Sequence, residues 1–302
     1  MLIRTTFYLL AILLVSTWGC DRSTEELDDP SSPTTPTSLT FAFQPQENPE
    51  GLHLDTRRFV NFIADETGFE AEVFQPTNYA AVVEALRSKN ADVAYFSGLP
   101  YLMAHEMAGV ELLVVEERDG NPFYYSQWYV LDDSEIESLA DLKDQHIAFT
   151  SPTSTSGYLF PLAKIIDEGL LEQGGDPRDF FGEVLFAGGY EQALLALANG
   201  RVAAAAASDY ALQQYLDDDQ QARIRILAQQ GPVPTHGLAI RGDLPDEVKD
   251  AVRQALLKLN EEEHVELLRS VYGARRLVAR DHDEHVEALD HARSLVDLDA
   301  SL

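Results

Sequence analysis

The sequence predicts an α/β protein. Short apolar runs bounded by turn residues alternate with amphipathic segments of helical spacing. Hydrophobic residues make up 45% of the chain, enough for a sizeable core. With 302 residues there is room for two compact units, and no solenoid repeat is visible.

The elements follow in order. Leu39–Pro45 (LTFAFQP) alternates and stops at proline, as an opening strand does. Leu54–Gly68 carries apolar residues at helical spacing and ends on glycine. Glu70–Pro76 is a second strand, Asn78–Asn90 a second helix and Asp92–Gly98 a buried third strand. Leu99–Gly109, with proline near its start and glycine at its end, suits a helix. Glu111–Glu117 and Tyr125–Leu131 read as strands, Ser138–Gln145 as a short helix and His146–Ser151 as another strand. Val202–Ser208 (VAAAAAS) predicts a thin strand packed between helices. From Asp246 to Leu295 the pattern is helical.

The chain opens differently. Phe7–Val15 is apolar but too short to span a bilayer as a mature helix, and it has the length of a signal-peptide core. Cys20, the only cysteine, stands just after it and cannot form an internal disulfide. The segment resembles a bacterial lipoprotein signal, residues 1–20, with Cys20 as the lipidated first residue of the mature chain. Gly19 and Cys20 match that pattern; Thr17 and Trp18 depart from it. A secreted protein cut nearby is the alternative. Residues 21–38 are polar, with three prolines and no aromatic residue, and read as a flexible tether.

Acidic residues number 51 against 22 basic ones, a net charge of −29 spread along the whole chain. Such a surface repels nucleic acid and anionic lipid. It fits a protein kept soluble in high salt, where screening shortens self-repulsion.

The stretch Phe149–Pro161 (FTSPTSTSGYLFP) carries the chemistry. Tyr158, Leu159, Leu162, Ile165 and Ile166 have helical spacing, so a helix begins near Thr155 or Ser156, and Pro161 falls in its first turns. The unpaired N–H groups and partial positive charge of a helix start suit an anion. Ser154, Thr155 and Ser156 would surround that end, and Gly157 would let a ligand approach the backbone. One serine suffices for an N-cap; three hydroxyls in a row before a glycine exceed that need. The stretch has no phosphate-binding GxxxxGK[ST] loop and no GxSxG elbow.

Four stretches in series now carry a resemblance: Asn48–Phe74, Thr77–Ala104, Asp119–Pro161 with its PTSTSG segment, and Gly188–Leu212. Together they resemble the periplasmic solute-binding proteins of phosphonate, phosphite and phosphate ABC transporters, from about Thr40 to Leu244. The resemblance implies a two-lobed periplasmic-binding-protein fold of type II, with two strand crossings, near Tyr124–Gln127 and Gly231–His236. Residues 39–124 and 233–302 would form lobe 1 and residues 125–232 lobe 2, with the helical end packing back onto lobe 1. Carried over by position, Ser154, Thr155 and Ser156 would hold the anion from the second lobe. Tyr79, Tyr95 and Ser97 would line the cleft from the first, Tyr125 the hinge side, and Asp209 an acidic cleft position. Asp209 also suits a helix N-cap.

Two positions depart from the family pattern. Gly188–Glu191 reads GGYE where GSHD or GSHE is common, so Tyr190 stands in place of a ligand-contacting histidine. His236 lies near a position that is often acidic or amide-bearing. If His236 took over the histidine's role, affinity should rise as pH falls through its titration near 6.5.

The resemblance implies a monomeric, extracytoplasmic lipoprotein, held to the membrane by its anchor. It would capture a small oxyanion or organophosphonate and pass it to an ABC permease, with no cofactor, no metal and no nucleic-acid partner. Histidines 282, 285 and 291 offer no complete ligand set for zinc. Two rivals remain open: a sensory binding protein of the same fold that signals to a membrane receptor, and an enzyme with Ser154 or Ser156 as nucleophile, which lacks a recognisable histidine–acid pair.

Overall fold

The computed structural model describes residues 35–45, 49–271 and 273–298. The expected signal peptide, Cys20 and most of the expected tether lie outside the described residues. Among the described residues, no helix is long and apolar enough to cross a membrane.

The first half of the chain runs β1 (Ser38–Phe43), α1 (Pro49–Thr67), β2 (Glu70–Phe74), α2 (Tyr79–Arg87), β3 (Val93–Phe96), α3 (Gly98–Ala108) and β4 (Val110–Glu117). The middle runs β5 (Phe123–Leu131), β6 (His146–Phe149), α4 (Phe160–Asp167), β7 (Glu183–Phe186), α5 (Tyr190–Ala198), β8 (Ala204–Ser208), α6 (Ala211–Tyr215), α7 (Asp218–Gln221) and β9 (Ile224–Pro234). The return comprises β10 (Gly237–Arg241), α8 (Asp246–Lys258), α9 (Val265–Ser270), β11 (Arg276–Val278), α10 (His282–Val286) and α11 (Asp290–Leu295).

Two sheets result. The first has six strands in the order β11-β4-β10-β3-β1-β2, and the second five in the order β7-β6-β8-β5-β9. In the first, β1 lies parallel to β2 and β3, and the returning β10 inserts antiparallel between β3 and β4. Helices cover these sheets, so the inner strands read as unbroken apolar runs; all four residues of β3 are buried. Local chemistry agrees. Asn78 caps α2 by accepting the Ala81 N–H at 2.9 Å, and α3 ends at Gly109, whose φ of +63° suits a left-handed C-cap.

The alanine run is β8, between β6 and β5, with Ala204 to Ala207 wholly buried. Ala204 and Ala206 pack with Trp128, Tyr158 and Leu162, while Ala205 and Ala207 pack with Tyr190 and Leu194. Small side chains let both packing layers come close to the strand.

The first crossing sits outside its expected position, whereas the second falls within the expected Gly231–His236. Phe123 already pairs with Pro234 and Tyr124 with Val233 inside the second sheet. The first crossing therefore precedes β5, at Arg118–Pro122, and the second is confined to Thr235 and His236, between β9 and β10.

The end of the chain also differs from a continuous helical run. After Gly273, at φ +70°, Arg276–Val278 pairs antiparallel with β4. Three residues are too few to show a strand period. Nor does the whole segment stay on the first sheet. Helix α8 buries Val248, Val252 and Leu256 against it, but the last helices reach the second sheet's helices. Gly174 donates to the Leu295 carbonyl at 2.8 Å, Gln173 Nε2 to that of Ser294 at 2.6 Å, and His291 Nε2 lies 3.1 Å from the Asp167 carboxylate. Burial of Leu289, Ala292 and Val296 in the core that contains Leu159 and Phe160 draws them there.

Asn260 holds β11 in place: its Oδ1 accepts the Leu277 N–H and its Nδ2 donates to the Leu277 carbonyl, both at 2.8 Å. Asn260→Ala should lower unfolding stability by about 1–3 kcal/mol, because both backbone groups lose their partner; denaturant titration measures it.

Candidate functional site

Strand β6 delivers the chain into the serine-rich turn, and each hydroxyl there has a separate task. Ser154 caps the turn, its Oγ accepting the Gly157 N–H at 3.1 Å. The turn that follows, Thr155–Leu159, is widened: Leu159 N–H reaches back five residues to the Ser154 carbonyl at 3.0 Å. Regular α4 starts only at Phe160, with Pro161 inside its first turn. Gly157 is required by packing within the lobe, rather than by a ligand's approach. A Cβ at this position would lie 1.9 Å from Thr150 Oγ1.

Thr155 reaches the other lobe. Its Oγ1 accepts the Leu99 N–H at 2.8 Å, an N–H in the first turn of α3 that no helical carbonyl can satisfy. The N-terminus of α3 and the serine turn thus converge on one hydroxyl. A Thr155→Ala change would leave that N–H without its partner, so the residue supports the folded arrangement as well as the expected grip.

Ser156 joins three neighbours. Its Oγ lies 2.7 Å from the Tyr190 hydroxyl, and Tyr124 donates to it at 3.1 Å. Its carbonyl accepts from Ser126 Oγ at 2.6 Å. Burial raises the Tyr190 phenol and pushes that of Tyr124 well above the usual range, so both are neutral hydroxyls.

On the first lobe, Ser97 precedes α3 and directs its N–H and Oγ to Gln44 Oε1, at 2.9 and 3.3 Å. Tyr95 donates to Glu116 Oε1. Glu116 is wholly buried and its Oε2 accepts from Arg118 Nε at 2.7 Å. Burial pushes the Glu116 carboxyl up, while Arg118 and Tyr95 pull it back. The Arg118 guanidinium also lies 3.8 Å over the Tyr210 ring. Tyr79 opens α2, fully buried. His236 is buried too, stacked on Tyr124 with ring centroids 5.9 Å apart.

A cavity of about 670 Å³ begins beside this cluster, lined among others by Arg118, Tyr124, Tyr125, Asp209, Tyr210 and Arg275. Asp209 does not cap α6, whose flanking residue is Tyr210; its Oδ2 accepts the Tyr125 N–H at 3.1 Å. Burial raises the Asp209 carboxyl, against the pull of that N–H and of Arg118.

The structure therefore brings Ser154, Thr155, Ser156 and Tyr190 together, places Tyr95, Ser97 and His236 in the buried layer of the first lobe and the crossing, and sets Tyr125 and Asp209 on the cavity. Sequence reasoning missed Tyr124, Ser126, Gln44 and the Glu116–Arg118 pair. Alternation along β5 offered a signal: Tyr124 and Ser126 share a face with Trp128. The expected titration of His236 is overturned. Burial first, then Arg118 and His285, hold its pKa well below the histidine range, so it stays neutral.

The stretch of residues 41–285 matches the model of a family described as the periplasmic substrate-binding protein of a phosphonate ABC transporter. The chain is 31% identical over 201 residues to the phosphate-import protein PhnD of Mycolicibacterium smegmatis, a match covering 63% of this chain and 62% of that protein. It is 28% identical over 129 residues to the phosphonates-binding periplasmic protein of Escherichia coli, covering 41% and 38% of the two chains. Its fold is similar to the binding component of an ABC phosphonate transporter from Pseudomonas aeruginosa, with a TM-score of 0.75, 23% identity and 84% of each chain covered. It is also similar to PhnD1 of Prochlorococcus marinus, solved with methylphosphonate, at a TM-score of 0.74 and 19% identity, covering 86% of this chain and 99% of that one.

The buried histidines set a pH dependence of stability. His285 is pushed down to about 3, by burial first and then by Arg280 and His282, and His236 is lowered in the same sense. Both are neutral when folded and gain a proton on unfolding below about pH 6.5. The unfolded chain then binds more protons, so their contribution is complete above that pH and declines as pH falls. Glu116, raised by burial, acts in the opposite sense. Replacing His285 by Leu should therefore make the loss of stability between about pH 7 and 5 smaller by roughly 2 kcal/mol, as measured by urea unfolding at both pH values.

Proposed function

The chain belongs to the family of periplasmic substrate-binding proteins of phosphonate ABC transporters, and we propose that it captures a phosphorus oxyanion between its lobes for delivery to a membrane permease. The observation that carries this reading is the convergence of the serine turn and the N-terminus of α3 at Thr155 Oγ1, 2.8 Å from the Leu99 N–H. Helix N-termini and hydroxyls are neutral donors that suit phosphate, phosphite and phosphonate oxygens. Arg118 is committed to Glu116, so the grip does not rest on a free cation. The adjoining 670 Å³ cavity favours an oxyanion with an organic substituent, a phosphonate, over a bare one.

In this reading Ser154, Thr155, Ser156 and Tyr190 hold the anion, Tyr79, Tyr95, Ser97 and His236 shape the first-lobe wall, and Tyr125 and Asp209 meet the substituent. Residues 39–124 with 233–302 form one lobe and 125–232 the other, although the pairing of β5 with β9 reaches Phe123 and Pro234. The turn's hydroxyls are fully buried, so the lobes part for ligand to enter. The protein acts as a monomer, without turnover, cofactor or metal. Lipid on Cys20 tethers it to the outer face of a membrane.

Two experiments test this. Phosphate, phosphite, methylphosphonate, aminoethylphosphonate and sulfate are compared by thermal shift. The cognate ligand should stabilise the protein by about 2.7 kcal/mol at a hundred times its Kd. Ser156→Ala should weaken its binding by about 1–3 kcal/mol. A panel without a single shift rejects the reading. Separately, Cys20→Ser should move the protein from the membrane fraction to the soluble one; unchanged membrane retention and processing would reject the anchor.

A further inference from the structure

Ser208 is the last residue of β8 and is wholly buried. Among the described residues its Oγ has no hydrogen-bond partner. Its carbonyl, by contrast, accepts from the Tyr129 hydroxyl at 2.9 Å. A buried hydroxyl left unpaired is destabilising, and alanine fills the four preceding positions of the same strand without that penalty.

The direction of the side chain follows from the strand. Residues two apart share a face. Ala204 and Ala206 pack in the core that holds Tyr124, Trp128, Tyr158 and Leu159, whereas Ala205 and Ala207 pack with Tyr190 and Leu194 on the other side. Ser208 therefore faces the layer of the serine turn. Ser126 stands directly opposite it in the antiparallel pair, and Ser126 Oγ donates to the Ser156 carbonyl at 2.6 Å. The next two residues, Asp209 and Tyr210, line the 670 Å³ cavity. Ser208 thus stands at the junction of the turn and the cavity.

We propose that Ser208 is a further ligand-binding residue, whose Oγ donates a hydrogen bond to the captured oxyanion and helps determine which oxyanion is held. This rests on the oxyanion-capture reading above. A serine hydroxyl has one donor and can turn it toward an acceptor, and an anionic oxygen is the acceptor whose bond is strongest. The donor is positioned by the sheet, while those of the turn are positioned by a helix start. The ligand then meets hydroxyls from two independent elements of the same lobe.

The test is calorimetric titration of Ser208→Ala with whichever of phosphate, phosphite or methylphosphonate binds the wild type, together with its melting temperature without ligand. Affinity should fall roughly tenfold to a hundredfold, while the melting temperature stays level or rises, since an unpaired buried hydroxyl has been removed. Ser208→Cys, similar in volume but a weak donor, should lose affinity in the same way. Full affinity in Ser208→Ala removes the proposal and leaves the capture reading intact. A lowered melting temperature with unchanged affinity assigns the hydroxyl to the fold and overturns the proposal. Failure of the wild type to bind any of the three oxyanions overturns both.

Discussion

The site depends on one hydrogen bond between lobes, from the Leu99 N–H of α3 to Thr155 Oγ1. It brings two helix starts face to face, and their partial positive charges reinforce one another where neither could do so alone. The rest of the turn is built so that this contact can be made. Gly157 lies against Thr150, Ser154 ties the turn to itself, and Ser156 is held by Tyr124 and Tyr190. Two chain crossings and the C-terminal helices bring the lobes together around it. Since Thr155 is shared between them, the oxygen that ties the lobes together is, in the proposed reading, also one that meets the ligand.

The charge of the chain makes this choice of donors intelligible. A net of −29 disfavours long-range attraction of an anion. Within the site the opposed charges of Glu116 and Arg118 are spent on one another, and His236 is neutral. At the serine turn the grip proposed above is then short-range and directional: hydroxyls and backbone N–H groups that count only when the ligand fits. Salt, which screens the repulsion between protein and anion, leaves these contacts largely intact.

Much of the fold was legible because its strands and helices are long enough to show a period. β1 to β4, β8 and helices α1 to α3 were read from alternation and end signals, although α1 starts at Pro49 rather than Leu54. β11 was not, because three residues carry no period and the strand is created by Asn260 and by pairing with β4. The first crossing was misplaced because β5 starts before Tyr125; proximity to Pro234, a tertiary fact, sets that start. At the site, the hydroxyl run announced itself by exceeding what a cap needs. The division of labour within it did not, since it depends on Leu99, Tyr124 and Ser126, each distant in sequence. Glu116 is next to last in an otherwise ordinary strand, and nothing in its sequence marks it for burial. Only the approach of Tyr95 and Arg118 turns it into a buried acid.

Strand β8 has a consequence for how such a protein could change its ligand over generations. Four alanines, pressed from both faces, leave no volume for a larger side chain without moving the layers beside them. Drift along this strand is therefore confined to its end. Ser208, Asp209 and Tyr210 follow one another there, one hydroxyl, one acid and one ring, at the edge of a cavity with room to spare. A lineage that exchanged one ligand for another could do so by altering these three neighbours, with the frame behind them unchanged.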